Sequence, residues 1–460
     1  MKIGQEPVSL VQHKSNPPVH EAAALARFVS WVRGAAPYIH AFRNRTFVIA
    51  FGGDVMQMDR AQRLAYDFNL LAALGIRLVL VHGARPQIDA EMARRGLVSQ
   101  FHNDLRVTDA DAMECVKAGM AVTRIEIEAL LSQGLPNTPM AGSYMRVTGG
   151  NYVIARPLGV IDGVDLQYTG TVRRIIADEI QADLDQQNVV LISPLGLSPS
   201  GEIFNLTLEE VAGAVAEALK AEKLVFICSG DGLGLHNGQG CLNSSVTADE
   251  AERILSEGPE VAEDLRLFVP YAVRAVRRGV SRAHLISFDA DGGLLLEFFT
   301  HRGVGTVISR DPLFRLRDAS AEDVGALVSL ITPMEADGTL VRRGRELLEQ
   351  EIDRFLLAEL DGVLVGCAAL YPFHDEPAAE LACLAVAPEF RRSGVGDLLL
   401  ARIEQRAKKL AIRTLYVLTT RTAHWFHERG FAETLPDALP DEKRQLYNFK
   451  RRSKVFAKQL

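Results

Sequence analysis

The stretch from Glu380 to Leu399 limits most sharply what this chain can become. A short apolar run, Leu381 to Val386, stops at Pro388 and is followed by Arg391-Arg392-Ser393-Gly394-Val395-Gly396. From Asp397 onward, Leu398, Leu399, Ile403 and Ala407 recur at helical spacing against Arg402, Gln405, Arg406 and Lys409. The first run reads as a buried strand and the second as an amphipathic helix. A strand that turns through two glycines into a helix leaves the first helical amides pointing outward, where the helix dipole adds positive potential. With two arginines beside it, the turn is a cradle for a phosphate-bearing ligand. The same residues also describe a plain strand–helix turn carrying two solvated arginines.

Leu384-x-Val386-x-Pro388 followed by Arg391-x-x-Gly394-x-Gly396 resembles the acyl-CoA signature of the GNAT acetyltransferases, and Trp425-Phe426 with Gly430-Phe431 extends the likeness. In that family the signature strand is splayed from its neighbour and pairs with the pantetheine arm, while the loop holds the pyrophosphate. The resemblance implies that Leu384, Ala385, Val386, Arg391, Arg392, Ser393, Gly394, Val395 and Gly396 bind acetyl-CoA.

A chain of 460 residues exceeds one such domain and predicts about three. Hydrophobic and charged contents of 48% and 24% suit a soluble globular protein, and a net charge of −7 argues against nucleic acid as a partner. The cysteines, Cys115, Cys228, Cys241, Cys367 and Cys383, form no C-x-x-C pair and have no histidine at ligand spacing. No metal or disulfide framework is expected, and a reducing cytoplasm suits them. No apolar run is long enough for a membrane span, and the first residues lack the apolar core of a secretory signal. Residues 1–20, with Pro17-Pro18, are expected to be disordered.

Val19 to Ala36 is predicted to be a helix that Pro37 ends, with Leu25, Phe28, Val29 and Val32 on one face beside Trp31. That face packs either on its own domain or on another subunit. An α/β rhythm follows, with strands at Thr46–Phe51 and Arg77–Val81 and helices at Arg60–Ala73 and Gln87–Arg95. Further strands are predicted at Met145–Val147, Val189–Ile192 and Leu224–Ile227, with a helix over Leu208–Ala221 that Asn205 helps cap. Alternation of this kind predicts a mainly parallel sheet with ligands at the strand C-termini.

VIAFGGD at 48–54, VHGARPQID at 81–89 and the run from 201 to 227 make this region resemble the amino-acid kinases, acetylglutamate kinase in particular. The segments SRAHLIS at 281–287 and LLLEFFTHRGVGT at 294–306 extend the match. Three positions depart from that pattern. Ala50 stands where the kinases carry a lysine, the second glycine-rich turn reads Gly83-Ala84-Arg85, and Glu209 replaces an aspartate. Losing a cation that stabilises the transferred phosphoryl group costs orders of magnitude in rate. A kinase fold without kinase chemistry suggests a sensor. By resemblance to the arginine-inhibited kinases, His284, Glu297, Gly303 and Gly305 form an allosteric L-arginine site. A buried carboxylate beside free carbonyls suits a guanidinium. The plainer reading makes Glu297 a surface acid at a strand end and His284 structural.

The expected organisation is therefore an α/β chain: an amino-acid kinase-like parallel-sheet sandwich over 21–305, a linker at 306–312, and a GNAT α+β domain over 313–460. In the second domain, strands are predicted at Leu313–Arg317, Leu364–Leu370 and Thr414–Leu418, with helices at Ala321–Leu330, Glu346–Leu357 and Thr422–Arg429. Gly430 follows as a C-terminal cap.

Acetyl transfer to an amine needs a positioned thioester, a polarised carbonyl, a proton acceptor and a leaving thiolate. Amides from Cys383 to Ala385 can polarise the carbonyl, and Glu380 is placed to take the proton, directly or through water. Phe426 stands where many family members carry a tyrosine acid, which leaves Thr419, His424 or water for the thiolate. An acetylglutamate-kinase-like domain fused to GNAT, ending Tyr447-Asn448-x-x-Arg451-Arg452-Ser453-Lys454, resembles the bacterial N-acetylglutamate synthases. That family implies L-glutamate as acceptor, held by Leu340, Arg342, Cys383, Arg451 and Ser453, and feedback by L-arginine on a homo-oligomer, a hexamer. Two separated arginines supply two anchors for a dicarboxylate. A bifunctional synthase–kinase and a non-enzymatic arginine sensor are the competing readings. Ala50 argues against the first; the intact loop and Glu380 argue against the second.

Overall fold

The computed structural model describes residues 19–460 apart from 57, 135, 231–232, 234–244, 258–260, 301–302, 361, 375, 392 and 446–452. The disorder expected for residues 1–20 falls almost wholly outside these. The chain divides into two units, one of residues 1–230 and 286–304, the other of 231–285 and 305–460.

The first unit is built on parallel strands in the order Lys223–Cys228, Thr46–Phe51, Arg77–His82, Val189–Ile192 and Val147–Thr148. Phe47, Val48, Ile49 and Ala50 are all fully buried. A strand covered on both faces must be apolar at every position, which is why these runs were continuous rather than alternating. Helices Met58–Ala73, Ala110–Leu131 and Leu208–Leu219 belong to this unit. A second sheet contains Ile203–Asn205, Leu195–Leu197, Val153–Pro157 and Gly170–Ile175 in that order.

Two expectations are corrected in this unit. The first helix runs from Val19 to Phe42, straight through Pro37. Proline removes one amide donor, but packing of Phe42 edge-on to Phe47 at 5.4 Å and near Phe299 at 6.4 Å holds the last turn in place. Leu25, Phe28, Val29, Trp31 and Val32 on the same helix remain exposed. The helix at Leu208 is capped by Thr207, whose Oγ1 accepts from the Glu210 amide at 3.3 Å. Asn205 lies in a strand instead, where its Nδ2 donates to Thr108 Oγ1 at 3.1 Å.

In the second unit, Thr306–Ser309 is a strand, parallel to Ser245–Thr247 and antiparallel to residues 283–285. The expected linker at 306–312 is therefore corrected: its first four residues are sheet, and too few of them alternate to be told from a loop by pattern. A separate sheet of seven strands runs in the order Arg315–Asp318, Phe355–Leu360, Val363–Pro372, Ala378–Val386, Thr414–Thr419, Lys454–Gln459, Ala432–Thr434. Helix Val395–Lys409 covers one face through Val395, Leu399, Ile403 and Ala407, and helix Val324–Ala336 covers the other through Val324, Leu327 and Ile331.

The helix expected over Glu346–Leu357 is also corrected. It spans Arg345–Gln350, and Phe355–Leu360 is a strand. Leu356 and Ala358 face the Leu399 side while Phe355 and Leu357 face the Leu327 side. A run buried on both faces of a sheet shows no alternation, so periodicity does not separate it from a buried helix.

Candidate active site

The parallel strands Ala378–Val386 and Thr414–Thr419 pair only over Ala378–Thr414, Ala379–Leu415 and Glu380–Tyr416. Both strands continue past that point, the first still paired to Val363–Pro372 and the second to Lys454–Gln459. They part from one another at Glu380, so among the described residues the edge carrying Leu384, Ala385 and Val386 has no strand partner on that side. An open strand edge accepts an extended chain bearing amides, as the pantetheine arm does.

Inside the fork the strand is bulged. Cys367 pairs with Ala385 and Ala369 with Ala382, so Cys383 and Leu384 together oppose Ala368. Cys383 carries the irregularity with φ 52°, a left-handed conformation that costs a non-glycine residue about 1–3 kcal/mol. A bulge takes local amides out of the regular ladder. The Cys383 carbonyl accepts from Cys367 Sγ at 3.4 Å, and the neighbouring Cys383 thiol, followed by burial, pushes the Cys367 thiol well up.

The glycine turn follows at the open end. Ser393 closes it by donating from N at 3.2 Å and from Oγ at 2.6 Å to the Phe390 carbonyl. Gly394 sits at φ 84° as the cap of the helix and offers no side-chain partner to the first helical amides. Val395 is buried in the core, and a Cβ on Gly396 would touch the Trp425 ring. Trp425 is held in turn by the Arg429 guanidinium, 3.9 Å from its ring centroid. Arg391 is exposed beside the turn, and Arg392 lies outside the described residues. Uncapped amides, helix dipole and a neighbouring arginine fit a pyrophosphate. Among the described residues, no cluster of three or more His, Cys, Asp or Glu side chains is placed to hold a metal ion.

Glu380 stands where the strands separate, its side chain 12% exposed, with Oε2 2.6 Å from Lys443 Nζ. Tyr371 and Tyr416 flank it on the adjoining strands. Tyr371 donates to Glu351 Oε2 at 2.8 Å, and burial, against the opposing Arg343 charge and with help from Glu351, pushes its phenol up to about 12. Thr419 ends the other arm, three residues beyond Tyr416 or about 10 Å along the strand. Its Oγ1 accepts from the Thr422 amide at 3.0 Å and lies 2.8 Å from Thr422 Oγ1, so the hydroxyl also ties down the turn before the next helix. His424 points to solvent and pairs with Glu428 at 3.2 Å, while Phe426 is buried against Phe431.

The acceptor residues divide. Cys383 lies on the same strand as Glu380, Leu340 is half-buried, and Ser453 is half-buried just before the strand Lys454–Gln459. Arg342 is exposed, and it is Arg343 that turns inward. Burial opposes the charge on that guanidinium, but the facing Cys383, Tyr371 and Glu380 outweigh it and raise its pKa. Arg451 lies outside the described residues. Sequence reasoning missed both Arg343 and Lys443. Lys443 sits in the run Asp441-Glu442-Lys443-Arg444, which reads as a solvated turn.

Of the residues expected to sense arginine, Glu297 is a buried member of helix Gly293–Phe299, not an acid at a strand end. Its Oε2 accepts from the Val304 amide at 2.8 Å, and Gly303, at φ 59°, leaves room where a Cβ would strike that carboxylate. The same helix begins against Asp67, whose carboxylate accepts from the Leu294 amide; burial pushes this acid up to about 7. His284 is buried in its strand opposite Val307, and Gly305 precedes Thr306 of that neighbouring strand.

The model of the amino acid kinase family matches residues 45–287, and that of the GNAT acetyltransferase family matches 326–431. An amino-acid acetyltransferase of Ralstonia nicotianae is 48% identical over 443 residues, 96% of this chain and 98% of that protein. One from Ectopseudomonas mendocina is 48% identical over 434 residues, 94% and 99%. Among solved structures, N-acetylglutamate synthase from Neisseria gonorrhoeae complexed with coenzyme A and L-arginine has a TM-score of 0.79 at 37% identity, covering 94% of this chain and 99% of that one. The same enzyme complexed with coenzyme A and N-acetyl-glutamate has a TM-score of 0.60.

Proposed function

The chain belongs to the bacterial amino-acid acetyltransferases, and from that membership we propose that it moves the acetyl group of acetyl-CoA to the α-amine of L-glutamate, releasing N-acetyl-L-glutamate and CoA. The observation that carries this reading is the fork: two strands that part at Glu380 and lead to an uncapped glycine turn. The Neisseria enzyme's complex with N-acetyl-glutamate supports the choice of acceptor.

In this mechanism the turn 391–396 holds the pyrophosphate and the edge 384–386 holds the pantetheine arm, which brings the thioester into the fork. Glu380 takes the ammonium proton, directly or through a water. The freed amine attacks the thioester carbonyl, and amides of the Cys383 bulge receive the oxyanion. Collapse expels the thiolate, which takes a proton from Thr419 or water. Arg342, Arg451 and Ser453 hold the two glutamate carboxylates, with Leu340 and Cys383 beside the substrate and Arg343 adding positive field.

L-Arginine is the proposed feedback inhibitor, acting through Glu297, Gly303, Gly305 and His284. The Neisseria complex with L-arginine supports this, as does a buried carboxylate reserved by Gly303. The exposed apolar face of helix Val19–Phe42 supports assembly of copies, with a hexamer as the proposed form and the cytoplasm as its compartment. Among the described residues no helix is long and apolar enough to cross a membrane.

The test is thiol release from acetyl-CoA with L-glutamate, with and without L-arginine. Glutamate-dependent release that arginine suppresses is expected. Release with another amine but not glutamate overturns the acceptor, and release indifferent to arginine overturns the sensor.

A further inference from the structure

The Glu380–Lys443 ion pair stands apart from the other charged contacts around the fork. Its partners are 2.6 Å apart and only 12% and 24% exposed. The neighbours of Lys443 on the segment Asp441–Gln445 turn elsewhere: Arg444 contacts Asp441, and Glu442 approaches His374 at 3.7 Å. Glu380 is flanked by Tyr371 and Tyr416 and lies within the field of Arg343.

A pair this sheltered restricts what can replace it. Separating its members leaves two partly sheltered charges without a counter-ion, which is unfavourable. If Glu380 receives the acceptor's ammonium, Lys443 loses its counter-ion at the same moment. An amine without an acid group leaves that loss uncorrected. An amino acid corrects it, because it brings an anion together with the cation.

Resting on the reading of Glu380 as the proton acceptor, we propose that the Glu380–Lys443 pair is a placeholder for the acceptor, opened by the amino-acid zwitterion. The acceptor's ammonium takes Glu380, and one of its carboxylates takes Lys443. Lys443 is thereby an acceptor-binding residue that selects amino acids over simple amines. The exchange keeps charges matched in both states, with no sheltered ion left alone in the free or the loaded enzyme.

The experiment compares the full-length protein with Lys443→Met on three acceptors: L-glutamate, its γ-amide L-glutamine and its α-amide L-isoglutamine. Losing a hydrogen-bonded charge contact lowers kcat/KM for L-glutamate roughly ten- to hundredfold in Lys443→Met, chiefly through KM. The acetyl-CoA KM stays as it was, which also reports an intact fold. One of the two amides, the one lacking the carboxylate that meets Lys443, is then used as well as L-glutamate by the variant, while the wild type still rejects it. Lys443→Arg restores that discrimination. Should Lys443→Met fail to fold, Lys443→Gln carries the same comparison. A variant that rejects both amides as strongly as the wild type overturns the proposal, as does a loss confined to kcat. Glu380→Gln separates the failures. If it turns over normally, Glu380 is not the proton acceptor and the underlying reading falls; if it is inactive while both discriminations persist in Lys443→Met, only the placeholder falls.

Discussion

Glu380 faces Tyr416 in the last paired register of two parallel strands, and beyond that register the strands no longer pair with each other. The carboxylate therefore sits at the base of the opening, where the proposed mechanism brings thioester and amine together. A proton acceptor there needs no moving loop to reach the reaction, since the sheet fixes its Cα on both sides.

Replacing Glu380 by glutamine keeps the shape and removes the base. We expect kcat with L-glutamate to fall by about a hundred- to ten-thousandfold, the range of general-base contributions. Binding of acetyl-CoA, followed by fluorescence of Trp425 near Gly396, should change little, because the glycine turn lies at the other end of the strand.

Gly394→Ala tests the turn. Nothing lies near the added Cβ, so the cost is backbone strain at φ 84°, about 1–2 kcal/mol. Relief of that strain tilts the first helical amides, and the acetyl-CoA KM should rise about tenfold with the L-glutamate KM unchanged. Steady-state kinetics in both substrates checks it.

Asp67 gives the first unit a pH dependence. Its carboxyl is raised from 3.8 to about 7, chiefly by burial, with the Leu294 amide opposing. A folded-state acid that binds its proton more tightly than the unfolded chain loses stability as pH rises, here between 3.8 and about 7. At about 1.4 kcal/mol per unit the full loss is about 4 to 5 kcal/mol. Asp67→Asn, which can still accept from Leu294, should raise the melting temperature more at about pH 8 than at about pH 5. Calorimetry at the two values decides.

Glu297→Gln keeps the hydrogen bond to Val304 but removes the charge offered to a guanidinium. Arginine affinity, measured by titration calorimetry, should fall at least about tenfold, the value of a charge-assisted contact.

Ala50→Lys would restore the kinase's missing cation on paper. Ala50 is fully buried in a central strand, so a lysine there must force four methylenes and a charge into space that now holds a methyl group. We expect a destabilised protein without ATP-dependent phosphorylation of N-acetylglutamate, a lone buried charge costing several kcal/mol. A melting curve and a phosphate-transfer assay read both parts.

The parts visible in sequence were those that local pattern determines. The apolar runs at 46–51, 189–192 and 224–227 read as strands, and the Gly394 turn announced its helix. Gly430, expected as a cap, does adopt φ 83° after the helix Ala423–His427. What stayed hidden depended on partners distant in the chain. The strand Phe355–Leu360 looked helical because neighbours bury both its faces. The bulge at Cys383 exists only relative to the register of Cys367 and Ala369. Arg342 and Arg343 are indistinguishable as letters, and which one turns inward is decided by the fold. Lys443 meets Glu380 across a long stretch of sequence, so no local spacing could join them.

Cys383 sets one further condition on how this site can vary. Its backbone is left-handed, a geometry that suits glycine, asparagine and aspartate, while its side chain fills a buried position between the sheet and the Leu327 side. Backbone and packing thus ask for opposite kinds of residue. Valine is bulkier than cysteine and its branched Cβ resists the bulge; glycine accepts the bulge but leaves a hole. A small unbranched side chain is the compromise, so a random library at this position should rank by Cβ branching before it ranks by volume or polarity.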